Sequence, residues 1–147
     1  MDGGGAGVEA MCDAARADMV AHRRAHYRLL ERVVALDEAG VGDRVGLRDT
    51  VRLIQEVWHV DRAEALCLRD TAADLVPRVA LSGQPLAPRL PATGAAAAEG
   101  LLGERQIRIV RTTMRRIAAI DGMEPDAEAQ AEELLARWAA ELPPKAL

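Results

Sequence analysis

The sequence predicts an all-α domain: a multi-helix fold with a long N-terminal helix, a central helical hairpin and a proline-rich irregular strap. Three observations carry this. Ala, Leu, Arg and Glu dominate the 147 residues, and all are strong helix formers. Apolar residues recur at steps of three and four, the spacing of one helix face. There is no Phe, and Tyr27, Trp58 and Trp138 are the only aromatics. A core of small aliphatic side chains suits helices whose axes approach closely. The length fits one domain with one core.

Residues 1–7 are Gly-rich and are expected to be disordered. The helical domain is expected over 8–142. Its first helix runs from about Val8 to Glu38, with Cys12, Ala15, Met19, His22, His26, Leu29 or Leu30, Val33 and Leu36 as the apolar stripe. Gly40 is placed to end it as a C′ glycine. A second helix covers about Leu47 to Trp58, burying Val51, Ile54 and Trp58. His59-Val60-Asp61 is a tight break. Asp61 reads as an N-cap, with Glu64 three residues on as its box partner. The next helix runs to about Leu75 and buries Ala65, Leu68, Ala72 and Leu75. This pair has the outline of a helix-turn-helix, but Glu64, Asp70 and Asp74 on its second helix would meet phosphates unfavourably. A hairpin packed in the core is the favoured reading.

Pro77, Pro85, Pro88 and Pro91 exclude a helix over 76–91. A strap or small hairpin turning at Ser82-Gly83 is expected there. A short helix follows over about Ala92 to Glu99. Glu104 to Ile120 is the clearest amphipathic helix. Ile107, Val110, Met114, Ile117 and Ile120 share one side, and Arg105, Arg108, Arg111, Arg115 and Arg116 the other. The last helix spans about Asp126 to Glu141, burying Ala129, Leu134 or Leu135, Trp138 and Leu142. Residues 143–147 begin Pro-Pro, which reads as the truncated start of a further helix.

The net charge is −4, so the molecule as a whole lacks the footprint of a nucleic-acid binder. Local charge is uneven: the Arg-rich helix is basic and the segment after it acidic. The five arginines are the candidate nucleic-acid-binding residues, with DNA as the partner. The competing reading is a solvated face paired with the acidic last helix. Asp18, His22 and His26 are spaced i, i+4 on one face and are weak metal candidates. No fourth ligand is evident for them. Two half-buried imidazoles beside a core are the commoner outcome. No nucleophile motif accompanies His59, no glycine cluster fits a phosphate loop, and no cofactor is implied. Cys12 and Cys67 are expected to be free core thiols in a reducing cytoplasm. No apolar run reaches membrane-spanning length.

From about Val41 onward the chain resembles the helical domain known as domain of unknown function 222, the 13E12 repeat family. The matching pieces are His59-Val60-Asp61-Arg62-Ala63-Glu64-Ala65, then Arg78 to Leu86, then Leu90 to Gly100, a helix carrying Ile107 and Val110, and the acidic helix leading into Leu142-Pro143-Pro144-Lys145-Ala146-Leu147. The resemblance implies an all-helical, largely bacterial domain that commonly precedes an HNH endonuclease module. That module needs metal-binding His residues and usually an Asn. This sequence has no Asn, and its last His is His59. The expectation is therefore a non-enzymatic front part of such a protein. It would contact DNA, associate with itself, or dock a missing C-terminal module.

Overall fold

The computed structural model describes residues 3–147. Seven helices and one minimal hairpin make up the fold among these residues: α1 (Gly3–Glu38), α2 (Val41–Arg44), α3 (Thr50–Trp58), α4 (Arg62–Leu75), β1 (Arg78–Val79), β2 (Pro85–Leu86), α5 (Pro91–Ala98), α6 (Glu104–Ala118) and α7 (Pro125–Glu141). The all-α class stands.

Local chemistry sets most helix ends. Gly40 takes the left-handed conformation after α1, at φ 59°, which costs glycine least. The α3 helix starts at Thr50 rather than near Leu47, because Asp49 is its N-cap and accepts from the Arg52 amide at 2.8 Å. Asp61 caps α4 by accepting from the Glu64 amide at 2.8 Å. Between them His59 turns the chain at φ 54°. The prolines leave the strap only a two-residue antiparallel ladder, with Arg78 opposite Leu86 and Val79 opposite Pro85. The Glu38 carboxylate accepts from the Val79 amide at 2.7 Å and ties the strap to the end of α1.

The α4 helix is central. It packs against α1, α3 and α5, while α6 packs mainly on α7. Leu30, Ile54, Leu75, Leu90, Leu102 and Met114 are the largest fully buried side chains. At Gly94 α5 crosses the end of α4 so closely that a Cβ would lie 2.3 Å from the Leu75 carbonyl oxygen. Only glycine fits there.

Several expected faces are rotated or absent. The first helix begins at Gly3, so residues 3–7 are helical; residues 1 and 2, which share the expected disorder, lie outside the described residues. Cys12, Ala15, Met19 and His22 are exposed. The inward side of α1 is instead Tyr27, Leu30, Val33 and Val34. The physical reason is reach: the described side chains of α1 up to Met19 are all exposed, so its first turns project as an arm of about 25 Å. Cys67 is exposed as well, so neither thiol belongs to the core.

In α7 the inward residues are Glu132, Ala136 and Ala139. Ala129 and Leu134 face out and Trp138 is 45% exposed, while Leu135, the alternative to Leu134, is partly buried against the core. Glu132 explains the rotation. Its carboxylate is buried and caps α5, accepting from the Ala92 amide at 3.1 Å, the Thr93 amide at 2.6 Å and the Thr93 hydroxyl at 2.5 Å. Turning Glu132 inward turns Trp138 outward. Ile120 lies beyond the end of α6 and is also exposed. Residues 144–146 form a turn rather than a helix, and Leu147 packs against the core.

Candidate nucleic-acid interface

The α6 helix is held firmly at its start. The Gln106 side chain accepts from the Gly103 amide at 2.8 Å. Its amide nitrogen donates to the carbonyls of Ala139 at 2.6 Å and Leu142 at 3.0 Å. One residue thus satisfies the beginning of α6 and the end of α7, where helices leave backbone groups unpaired. Ile107, Val110 and Met114 then lock α6 into the core.

The five arginines of this helix part ways. Arg111 is only 6% exposed. Its Nε donates to Asp74 at 2.7 Å and its Nη1 to the Thr71 hydroxyl at 2.7 Å. On a helical projection Arg111 lies about 40° from Ile107, so it sits at the margin of the apolar face. Asp74 also accepts from Arg89 Nε at 3.0 Å and has Arg115 at 3.6 Å. The backbone carbonyl of Asp74 takes the Leu90 amide at 2.9 Å. This is a buried, well-satisfied ionic centre, and breaking such a pair costs about 3–5 kcal/mol. Arg111 therefore belongs to the scaffold and leaves the candidate binding surface.

Arg105, Arg108, Arg115 and Arg116 remain exposed. Among the described residues, Arg105, Arg108 and Arg116 make no ion pair, and Arg115 has only the long contact to Asp74. The acidic helix α7 supplies none of these contacts. The acid that meets the basic helix is Asp74 of α4, on the opposite flank.

Beside α6 lies a groove of about 550 Å³, bounded by α1, the α3–α4 hairpin and α6. Leu29, Trp58, Leu68 and Ile107 give it an apolar lining, and Arg105 and Arg108 stand on its wall. Trp58 is half-buried.

The histidine set does not assemble. Asp18 and His22 are exposed, while His26 turns to Glu104, with Nδ1 3.5 Å from the carboxylate. No group of three His, Cys, Asp or Glu side chains is placed to hold a metal among the described residues. The α3–α4 pair does not present a free recognition helix either. The second half of α4 is buried between neighbours, and Asp70 and Asp74 both pair with arginines.

Sequence reasoning missed Asp74, Thr71, Arg89 and Glu132. A signal existed for Asp74: an acid inside Ala72-Ala73-Asp74-Leu75-Val76 has little access to water and needs a cation.

No helix among the described residues is long and apolar enough to cross a membrane. The chain is 54% identical over 44 residues to the uncharacterized protein Mb1614c of Mycobacterium bovis, covering 30% of this chain and 20% of the relative. It is 41% identical over 64 residues to the uncharacterized protein Rv1702cMb1728c of Mycobacterium tuberculosis, covering 44% of this chain and 14% of that protein. It is 36% identical over 80 residues to the uncharacterized protein Rv1128c of the same species, covering 54% and 17%. The matched segments thus span a fifth or less of these relatives. No solved structure matches. The family model described as domain of unknown function (DUF222) matches residues 5–147, and the chain belongs to that family.

Proposed function

We propose that this domain is a non-catalytic module that contacts nucleic acid through Arg105, Arg108, Arg115 and Arg116. The observation that carries this reading is the set of exposed guanidinium groups on one helix: among the described residues Arg105, Arg108 and Arg116 make no ion pair, and Arg115 has only a long contact to Asp74. Such groups displace the counterions of a polyanion and gain affinity that falls with salt. Their contacts position a phosphate backbone and carry little sequence information. The module would hold DNA for a cutting module elsewhere in a longer protein of the HNH-associated kind. A cytoplasmic location accords with two free, exposed thiols.

The test is fluorescence anisotropy of a labelled DNA oligonucleotide at low and rising salt. The expected result is binding at low salt that weakens steadily as salt increases. Absence of binding at low salt contradicts the reading.

A second reading, self-association, rests on the arm of α1. Val8 is 61% exposed, Met11 73% and Met19 51%. Val8, Cys12, Ala15 and Met19 follow the four-three spacing of a coiled-coil seam. The occupant would be the arm of a second copy. Light scattering of the purified domain decides it, and a clean monomer at high concentration rejects it.

A further inference from the structure

We infer that the groove beside α6 takes an unstacked base of a single-stranded nucleic acid, stacked on Trp58, with the flanking phosphates on Arg105 and Arg108. The inference rests on the nucleic-acid reading of α6 and names the form of strand that this surface suits.

A row of arginines alone would serve duplex and single strand equally. The groove adds a second chemistry. Its lining by Leu29, Trp58, Leu68 and Ile107 offers nothing to a phosphate. It does offer an apolar, partly aromatic surface to the face of a base. In a duplex those faces are stacked inside and cannot enter a recess. In a single strand they are free, and each base stacked on an aromatic side chain adds affinity. The volume of about 550 Å³ lies in the range of ordinary small-molecule sites.

The charges are arranged for that polarity. Arg105 and Arg108 are exposed on the α6 wall and lie one turn apart. Arg111 also lines the groove, but Asp74 and Thr71 hold its guanidinium. Glu64 and Glu104 are exposed on the same walls. Carboxylates repel phosphate and accept from exocyclic amino groups such as cytosine N4. They direct the base inward and keep the backbone at the arginines. The His26 imidazole lies beside Glu104, with Nδ1 3.5 Å from its carboxylate.

The experiment uses the full chain carrying Trp138→Phe, which leaves Trp58 as the only tryptophan. Short oligo(dC), oligo(rC) and a duplex of equal length are titrated at low salt. Tryptophan emission and the anisotropy of a labelled strand are followed together. The expected result is quenching of Trp58 by single strands but not by duplex, with single strands bound more tightly; the DNA and RNA arms show which sugar is preferred. Trp58→Leu should weaken single-strand binding about 5- to 150-fold, since each stacked base contributes roughly 1–3 kcal/mol. It should leave the salt dependence unchanged. If Trp58→Leu fails to fold, the quenching of native Trp58 by single strand and not by duplex decides, and its absence overturns the groove assignment. Duplex bound as tightly as single strand, without quenching, overturns the groove assignment and leaves the phosphate-binding reading standing. No binding of any strand overturns both.

Discussion

The seam between α4 and α6 has two ends that differ in one respect. At the closed end, Asp74 gathers Arg111 at 2.7 Å and Arg89 at 3.0 Å, with Arg115 at 3.6 Å. At the open end, Arg105 and Arg108 border the groove of Trp58 and Ile107 and make no ion pair among the described residues. The same residue type thus serves two purposes on one helix. A buried guanidinium must be paired, because an uncompensated charge in the interior costs several kcal/mol. An exposed one bears no such constraint and is free to meet a polyanion. Position relative to the acid on α4, and not the count of arginines, separates scaffold from surface.

The comparison is broken most severely at its closed end. Arg111→Met strands a buried carboxylate and should lower stability by about 3–5 kcal/mol. Arg89 remains within reach of Asp74 and holds the loss toward the lower figure. Urea denaturation gives the number, and a loss under about 1 kcal/mol would show that the pair is not buried in solution. Glu132→Gln comes next. The amide cannot accept at both of its ends, so either the Thr93 or the Ala92 contact is lost. A cost of about 1–3 kcal/mol is expected, read as a lowered thermal midpoint.

Tyr27 is packed beside the closed end, with its hydroxyl 3.5 Å from the Leu75 carbonyl. Burial, followed by the negative charge of Glu31, raises its pKa above 10.0. The neutral phenol is therefore favoured in the folded state. Its contribution is fully present below about pH 10 and is lost as pH rises through the higher folded value. Tyr27→Phe should remove that alkaline loss, which thermal melts above pH 10 would show. The smallest effect belongs to the exposed arginines of α6. Arg108→Glu with Arg116→Glu should change stability by no more than about 0.5 kcal/mol, as expected of surface positions.

What was legible in the sequence was local. Gly40, Asp61 and the prolines of 76–91 act on their own neighbours, so their effect on helix ends and on the strap can be read without knowing the fold. The inward faces were harder. The expected stripe of α1 continued through Cys12, Ala15 and Met19 because periodicity is blind to where other helices stop, and the body stops near Val20. The sequence reads Trp138 as buried in the last helix, but the carboxylate of Glu132 has the stronger claim through three hydrogen bonds to α5. The Arg-rich helix was legible as an amphipathic element. That Arg111 belongs to the other side of the divide was not, because its partners Thr71 and Asp74 lie 40 and 37 residues away in sequence.

The most direct measurement is the salt dependence of oligonucleotide binding for the native chain and for Arg108→Glu with Arg116→Glu. The account predicts unchanged stability and a plot of log affinity against log salt that is shallower by roughly 1.4 for a single strand or 1.8 for duplex, the loss of two phosphate contacts. Equal slopes in the two proteins would contradict it, and so would a native chain that binds no strand at low salt.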